Sequence, residues 1–308
     1  MFEAVAVTTR SGYDESLHFG AAAVVDQGGD IVWSAGDPKL LVYPRSACKP
    51  LQAAAMLACG VRLTREQLAL ACASHDGTER QCDIVRSTLA GAGLDEGALG
   101  NTPDLPLDAP TAHAYLAGGG KRTAITMNCS GKHAAMLATC VANGWPTTGY
   151  LAPDHPLQDA ITRSMSEAAG PVVHVGVDGC GAPAHVVALD QLARAFATVA
   201  RQRGDVWTAM TGCPELVGGE RRPVTRLMRA VPGLMAKDGA EGVFAAALPD
   251  GRAAAVKISD GSSRAASVVL AAALTEAGIA VDAAGFGEPV RGHGRPVGAV
   301  HPLVGRLL

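Results

Sequence analysis

Several features of nucleic-acid-binding, secreted and membrane proteins are missing from this 308-residue chain. Its formal net charge is −3 and it has no run of lysines and arginines, so the sequence does not indicate a nucleic-acid partner. The longest apolar run, residues 265–274, is too short to cross a bilayer. The first residues lack the basic start and the apolar stretch of a secretory signal. We therefore predict a soluble, cytoplasmic protein without a nucleic-acid or membrane partner.

Cysteine pairs of the C-x-x-C type are also missing, although the chain has eight cysteines. Scattered thiols in a reducing compartment rarely form disulfides, and we expect most of them to be buried and inert. Aromatic residues contribute only 4% of the chain. Because alanine and glycine are abundant instead, we expect a core of small aliphatic side chains at close backbone spacing.

The length and the 48% hydrophobic content suit one large unit, residues 1–308, or alternatively two lobes that share one core. The order hairpin, helical middle, hairpin and helix is typical of an α+β fold, with an antiparallel sheet flanked by helices plus a helical region. The predicted strands are residues 19–25, 31–34, 123–127, 172–177, 243–248 and 253–258. The predicted helices are residues 50–59, 132–142, 186–202 and 262–277, with two more that begin at capping boxes on Thr64 and Thr78.

A serine and a lysine three residues apart, Ser46 and Lys49, form an S-x-x-K motif. Positions i and i+3 of a helical turn face the same side, so the lysine amine can reach the serine hydroxyl. A neutral lysine can take the serine proton, and the same tetrapeptide marks serine β-lactamases and penicillin-binding proteins. Pro50 cannot donate a bond back to Ser46, so the pair lies either on a helix or in its entering turn. The alternative is an exposed helix start with a capping serine.

A second serine and a second lysine lie in unusual surroundings. Ser74 begins a polar Ser-His-Asp-Gly stretch after an apolar run, which is either a site loop or a plain turn. Lys257 interrupts an apolar strand, and buried lysines are rare unless they are paired. A lysine that protects an edge strand from aggregation is an equally good interpretation.

Two glycine-rich loops, at Cys129 and at Cys180, each follow a predicted strand. Such loops can meet at a site, and a helix start beside Lys132 favours a cysteine thiolate. A phosphate-binding loop is excluded because His133 follows Lys132 and the upstream glycine is missing. Two cysteines without paired spacing do not by themselves define a zinc site, so two buried structural thiols remain the alternative.

Six motifs occur in one order along the chain. They are Arg10-Ser-Gly with Glu15-Ser-Leu-His18, Pro44-Arg-Ser-Ala-Cys-Lys-Pro-Leu-Gln52, Ser74-His75-x-Gly77, Cys129-Ser-Gly-Lys-His133, Asp178-Gly-Cys-Gly-Ala-Pro183 and Lys257-x-x-Asp-Gly261. Together they resemble the L-asparaginase II family of the Rhizobium etli type, over roughly residues 9–300. One such motif alone is weak evidence for the family, but six motifs in the same order along the chain are specific evidence.

The resemblance implies a fold related to serine β-lactamases and glutaminases, with two serine–lysine pairs. These pairs map to Ser46–Lys49 and Ser74–Lys257. Ser46 is the expected nucleophile, with Ser74 in that role as the alternative. Cys48 lies inside the S-x-x-K spacer, where we expect its side chain to point away.

The resemblance also implies one zinc ion per chain. Its ligands map to Cys129, Lys132 and Cys180, with a water molecule completing the shell. A lysine ligand has to be neutral, so we expect zinc binding to weaken as the pH falls.

The implied activity is hydrolysis of L-asparagine to L-aspartate and ammonia through a serine acyl-enzyme, with lysine as the general base. The substrate is a zwitterion, so its site needs one cation and one anion. Arg45 can bind the α-carboxylate and Asp178 the α-ammonium, although either residue can form a structural ion pair instead. His75 and His133 are further candidates for substrate binding.

The rival functions are another serine-type amidohydrolase, such as a glutaminase or a β-lactam hydrolase, and a non-catalytic, zinc-stabilised amino-acid binding protein. The presence of both serine–lysine pairs argues against the second rival, because a binding protein needs no nucleophile. Besides L-asparagine, the expected partner is a second copy of the chain, since an alanine- and glycine-rich surface favours a homodimer.

Overall fold

The structure, a computed structural model, describes residues 1–303. The chain divides into two compact units. The sheet unit comprises Met1–Ala47, Val186–Gln202 and Arg226–Leu308, and the helical unit comprises Cys48–His185 and Arg203–Thr225. The organisation as one unit, with two lobes sharing a core as its alternative, stays a prediction.

Strands occur near both ends of the chain and in its middle. Residues 1–303 contain β1 (Glu3–Arg10), β2 (Tyr13–Val25), β3 (Ile31–Ala35), β4 (Leu41–Val42), β5 (His174–Val177), β6 (Pro183–Ala188), β7 (Met235–Asp238), β8 (Val243–Ala247), β9 (Ala253–Ile258), β10 (Pro289–Gly292) and β11 (Arg295–Pro302).

Helices fill most of the remaining chain. They are α1 (Lys49–Ala58), α2 (Arg65–Ala71), α3 (Glu79–Gly91), α4 (Ala109–Ala117), α5 (Ser130–Ala142), α6 (Pro156–Ala169), α7 (Leu189–Gln202), α8 (Asp205–Gly212), α9 (Pro214–Gly218), α10 (Pro223–Ala230) and α11 (Ser263–Glu276). Short 3-10 helices occupy Arg45–Cys48, Glu96–Ala98 and Ala283–Phe286. Within residues 1–303, no helix has the length and apolar character needed to cross a membrane.

The sheet unit is built on an antiparallel sheet in the order β10-β11-β1-β2-β9-β8-β7, with β3 also paired to β2. The first part of β2 pairs with β1, and its last residues pair with both β9 and β3. Alanines face alanines across β8 and β9, as at Ala245 and Ala255. Their small side chains are fully buried, so the predicted core of small aliphatic residues is confirmed.

Two helices cover this sheet, α7 and α11. The apolar run of residues 265–274, too short for a membrane, is the buried face and middle of α11. The predicted hairpins β2–β3 and β8–β9 and the helix at 262–277 are present, and the fold is α+β as predicted.

The helical unit contains α1 to α6 together with α8 and α9. Both predicted capping boxes are formed. Thr64 accepts a hydrogen bond from the Gln67 amide, and the Gln67 side chain bonds back to Thr64; Thr78 and Gln81 do the same at the start of α3. Since α2 and α3 both pack close to α5, these caps fix the ends of the helices around the buried α5.

Two sequence predictions of secondary structure are wrong. Residues 123–127 form a turn with a single bridge from Thr123 to Asp104, and the Thr126 hydroxyl donates to the Asp104 carbonyl. The segment from 186 does not begin a helix, because Val187 and Ala188 pair with β4 and α7 starts only at Leu189. In both places the presence or absence of a partner strand decides the structure, and local propensity does not.

Acid is expected to destabilise the helical unit through His185. This side chain is buried, and its Nε2 lies 2.8 Å from Thr162 Oγ1. Burial, and then the charge of Lys132, lower the pKa of His185 from 6.5 to about 4. As the pH falls, the His185 imidazole becomes protonated at a higher pH in the unfolded chain than in the folded chain. The contribution of neutral His185 to stability is therefore fully present above its pKa in the unfolded chain. It is lost as the pH falls toward its pKa in the folded chain. The shift corresponds to ~3 kcal/mol.

Urea unfolding of wild type and His185→Gln at about pH 7 and about pH 4.5 measures this effect. The variant should lose less stability between the two pH values, by about 2 kcal/mol, because glutamine does not titrate. His113→Gln, at an exposed position, is the matched control and should behave like wild type. Equal acid sensitivity of His185→Gln and wild type would assign the acid loss to other groups.

Candidate active site

The amine of Lys49 is the centre of a buried polar cluster in the helical unit. The lysine is the first residue of α1, with Pro50 in the first turn, and only 1% of it is exposed. Its Nζ lies 2.5 Å from the Ala73 carbonyl oxygen, 3.2 Å from Ser74 Oγ and 3.2 Å from Cys129 Sγ. The structure therefore brings Lys49 and Ser74, two of the four predicted catalytic residues, into hydrogen-bond contact.

Backbone hydrogen bonds hold the loop that carries Ser74. The Ser74 amide donates to the Val217 carbonyl at 3.1 Å, and the His75 amide donates to the Asn128 carbonyl at 3.0 Å. The loop is thus tied to two separate segments of the helical unit. The site-loop interpretation of the Ser-His-Asp-Gly stretch, with a plain turn as its alternative, stays a prediction.

Arg222 reinforces the same loop, and the sequence analysis missed it. Its guanidinium donates to the carbonyls of Ser74 and Gly218 and lies 3.5 Å from the Asp76 carboxylate. It occurs between unremarkable residues in the sequence, so no motif identifies it. Its function becomes visible only when the fold brings it next to Ser74.

His75 is fully buried and uses both ring nitrogens within the protein. The Gly77 amide donates to Nδ1 at 3.1 Å, so Nε2 carries the proton and donates to Ser130 Oγ at 2.8 Å. Burial, with the charges of Lys49 and Arg222, lowers the pKa of His75 to about 3. A neutral His75 therefore shapes the Ser74 loop, and its role in substrate binding stays a prediction.

The two cysteine loops meet, as the sequence predicted. Cys129 precedes the first residue of α5, Lys132 lies in the first turn of that helix, and Cys180 lies after β5. The Cys129 and Cys180 thiols are hydrogen bonded to each other. Lys132 is almost completely buried, and its Nζ lies 3.2 Å from Cys180 Sγ.

The charges of this group are strongly coupled. The hydrogen bond from Cys180 lowers the pKa of Cys129 well below its usual value, and the charges of Lys49 and Lys132 lower it further, against the effect of burial. The same hydrogen bond, and burial, raise the pKa of Cys180. Burial acts to lower the pKa of Lys132, but Cys180, Cys129 and Asp178 outweigh it, and the pKa is raised. The pKa shifts thus run in opposite directions, down at Cys129 and up at Cys180 and Lys132.

Two sulfurs and one amine nitrogen at the same place are suitable donors for zinc. Among residues 1–303, no group of three or more histidine, cysteine, aspartate or glutamate side chains is placed to hold a metal ion. Lys132 is the nitrogen donor that lies against these thiols, 3.2 Å from Cys180 Sγ. Cys180 and Lys132 would each release a proton on binding the ion. The chemistry of the donor set fits a zinc ion.

His133 lies beside this donor set and is fully buried. Its Nδ1 lies 2.7 Å from the hydroxyl of Tyr150, which also accepts the Gly100 amide. Burial, with the charge of Lys132, lowers the pKa of His133 to about 4, and a hydrogen-bonding interaction with Cys180 offsets part of the shift. His133 thus packs against the cysteine cluster, and its role in substrate binding stays a prediction.

Ser46 and Arg45 belong to the sheet unit and occupy a tight turn. The Ala47 amide donates to the Pro44 carbonyl at 3.0 Å, and Arg45 has a left-handed φ of 53°. Ser46 is half-buried. The 3-10 turn runs directly into α1, so the S-x-x-K pair lies in the entering turn of the helix, one of the two predicted arrangements.

Lys257 also belongs to the sheet unit. Its Nζ donates to the Glu241 carbonyl at 2.5 Å and to the Ile258 carbonyl at 2.7 Å. Burial lowers the pKa of Lys257, and the negative charges of Glu241 and Asp260 offset part of that shift. Because β9 lies between β2 and β8, the interpretation of Lys257 as an edge-strand lysine is wrong. Its pairing with Ser74 stays a prediction.

Asp178 and Cys48 lie at the periphery of the cysteine cluster. Asp178 is half-buried, its carboxylate accepts the Gly179 amide at 2.8 Å, and its charge acts on Lys132. Burial raises the pKa of Cys48 to about 12, and the charges of Lys132, Asp178 and Lys49 act on the thiol as well. Cys48 ends the 3-10 turn that leads into α1, and the expectation that its side chain points away stays a prediction.

Comparisons with known proteins identify the family. The model of the family described as L-asparaginase II matches residues 6–302. One similar solved structure is a β-lactamase from Mycobacterium bovis, which is 16% identical, with 79% of this chain and 88% of that chain covered and a TM-score of 0.35. A search of curated proteins found no match. Because the family match covers nearly the whole sequence, the chain belongs to the L-asparaginase II family.

Proposed function

We propose that this chain is an L-asparaginase of the serine–lysine type, which hydrolyses L-asparagine to L-aspartate and ammonia. The observation that carries the proposal is the buried amine of Lys49, 3.2 Å from Ser74 Oγ and three residues from Ser46, in a member of the L-asparaginase II family. A lysine amine beside a serine hydroxyl can activate that hydroxyl as a nucleophile.

As a general base, Lys49 has to react as a neutral amine, which has two N–H donors and one lone pair. The Ala73 carbonyl and Cys129 Sγ can accept the two N–H groups. The lone pair is then available to a serine hydroxyl proton.

In the mechanism we favour, Ser46 Oγ attacks the side-chain amide carbon of asparagine while Lys49 accepts the hydroxyl proton. The C–N bond then breaks, and Lys49 transfers that proton to the departing nitrogen, so ammonia leaves and an aspartyl ester remains on Ser46. Lys49 next takes a proton from water as its oxygen attacks the ester carbonyl. The ester bond breaks, Ser46 regains its proton, and aspartate is released.

The second pair, Ser74 and Lys257, completes the proton network and stabilises the oxyanion in this proposal. A specific observation favours the alternative in which Ser74 is the nucleophile, since Ser74 Oγ is in direct contact with Lys49 Nζ. In that alternative Ser46 takes the supporting role. The two assignments give the same products and differ in the serine that carries the ester.

For recognition of the zwitterionic substrate, we propose Arg45 for the α-carboxylate and Asp178 for the α-ammonium. Arg45 is adjacent to Ser46 and half-buried, which suits a guanidinium that forks onto a carboxylate near the nucleophile. His75 and His133 are buried and hydrogen bonded, so in this proposal they hold the shape of the binding site.

We further propose one zinc ion per chain, held by Cys129, Lys132 and Cys180 with a water molecule, as in the Rhizobium etli type of the family. When bound, the ion supplies Lewis-acid charge and fixes the orientation of its ligands. Cys129 also contacts Lys49, so holding this sulfur in place holds one acceptor of the general base. The proposed nucleophile is a serine, and the reaction sequence needs no metal-activated water.

An ammonia-release assay with L-asparagine and L-glutamine, beside hydrolysis of a chromogenic β-lactam, tests the function. We expect ammonia from L-asparagine, with a higher kcat/KM than for L-glutamine, and no β-lactam cleavage. Preferential turnover of L-glutamine or of the β-lactam would support another serine-type amidohydrolase. Binding of L-asparagine in calorimetry without ammonia release would support the amino-acid binding protein.

We also propose a homodimer located in the cytoplasm. The alanine- and glycine-rich composition supports close packing of two copies. Light scattering of the purified chain measures the mass of the assembly, and a monomer at micromolar concentration would contradict the dimer.

A further inference from the structure

Gly239 packs directly against the turn that carries Ser46. A Cβ atom added to Gly239 would lie 2.3 Å from the Pro44 carbonyl oxygen and 3.1 Å from the Ala47 nitrogen. These are the acceptor and donor of the hydrogen bond that closes the Arg45–Ser46 turn. The backbone at Gly239 therefore supports the nucleophile turn at a distance that leaves no room for a side chain.

The same turn between β7 and β8, residues 239–242, contacts Lys257 at its other end. Lys257 Nζ donates a hydrogen bond to the Glu241 carbonyl at 2.5 Å, and the Ile258 amide donates one to the Gly242 carbonyl at 2.9 Å. Glu241 and Gly242 have left-handed φ angles of 59° and 65°. Such a conformation is uncommon for glutamate and persists where the surroundings enforce it.

A buried lysine fixes the strand that leads into this turn. Lys237 is fully buried, and its Nζ donates to the Asp238 carbonyl at 2.6 Å and to the Asp238 carboxylate at 2.5 Å. The next amide, of Gly239, donates to the Val243 carbonyl at 2.7 Å. The Lys237–Asp238 ion pair and this amide hydrogen bond thus lie at the entry to the turn.

We propose that the β7–β8 turn is a positioning element that sets the places of Ser46 and Lys257 together. No side chain of residues 239–242 has a part in the reaction steps, so these are positioning residues. The proposal rests on the proposed function for its effect on rate, because a shift of about 1 Å in a reacting group can cost about 10²-fold.

Gly239→Ala tests the contact through the added methyl group alone. We expect kcat for L-asparagine to fall by about 10²-fold, with the melting temperature within about 5 °C of wild type. The matched control is Gly91→Ala at the end of α3, where an added Cβ meets no atom within 4 Å. Gly91→Ala should keep wild-type kinetics. Unchanged kcat in Gly239→Ala would overturn the proposal while leaving the asparaginase function intact.

Residue-resolved amide exchange supplies a readout that needs no turnover. In wild type, the amides of Ala47, Gly239 and Ile258 should open with one common free energy, because one element ties them together. In Gly239→Ala, the Ala47 amide should exchange at least about 10-fold faster, and in Gly91→Ala it should not change. Independent opening of Ala47 in wild type would overturn the proposal even if Gly239→Ala failed to fold or the chain released no ammonia.

Discussion

Replacing Ser46 with alanine is expected to lower kcat for L-asparagine by on the order of 10⁴-fold, and Lys49→Met by a similar factor. Nucleophile and base act as one unit, so removing either leaves the other without a partner in the reaction. The double variant should therefore lose little more than the worse single variant. The measurement is steady-state ammonia release, with circular dichroism to verify folding.

The control for these variants is Ser87→Ala, which removes an exposed hydroxyl from α3. It should keep wild-type kcat. Multiplicative losses in the Ser46→Ala/Lys49→Met double variant would mean that the two residues contribute separately. A Ser46→Ala enzyme with most of its activity would move the nucleophile role to Ser74.

Purified wild type should contain about one zinc ion per chain, and Cys180→Ser less than about a tenth of that amount. Serine replaces the soft sulfur of Cys180 with a hydroxyl oxygen, which is a poor zinc ligand. The substitution also removes the sulfur that contacts both Cys129 and Lys132. The raised pKa of Lys132 means that zinc has to displace a proton from it, so affinity should increase as the pH rises. Elemental analysis and a zinc titration at several pH values measure both effects.

Cys82→Ser is the matched control for zinc content. Cys82 is buried in α3, and its thiol lies 3.9 Å from the Gly77 carbonyl oxygen and 3.8 Å from the Ile125 carbonyl oxygen. It should retain the zinc of wild type. Equal zinc in wild type and Cys180→Ser would remove Cys180 from the ligand set.

Local sequence signals predicted about half of the helices and strands in residues 1–303, and those elements have local causes. The boxes at Thr64 and Thr78 satisfy amides within their own first helical turn, and the turn between β8 and β9 lies between two short apolar strands. The prediction of a strand at residues 123–127 was wrong because an apolar, β-branched run becomes a strand only where a partner strand is present. Here only Asp104 pairs with Thr123.

The sequence pointed to candidate site residues but not to the contacts that they make. S-x-x-K spacing pointed to Ser46 and Lys49, and the order of six motifs added the second pair and the cysteines. No spacing rule places Lys49 next to both Ser74 and Cys129, or Arg222 on the Ser74 carbonyl, because those neighbours come from distant segments. The close approach of Gly239 to Pro44 is likewise a property of the folded backbone.

The most direct test of the central claim, that a serine activated by Lys49 carries the acyl group, is the mass of active-site peptides during turnover. Wild type is mixed with saturating L-asparagine, quenched in acid at successive times, digested and analysed by mass spectrometry. The account predicts an aspartyl ester on the peptide that contains Ser46, and its absence in Lys49→Met. An ester on Ser74 would reverse the roles of the two serines. Ammonia release with no ester on either serine would contradict the acyl-enzyme mechanism.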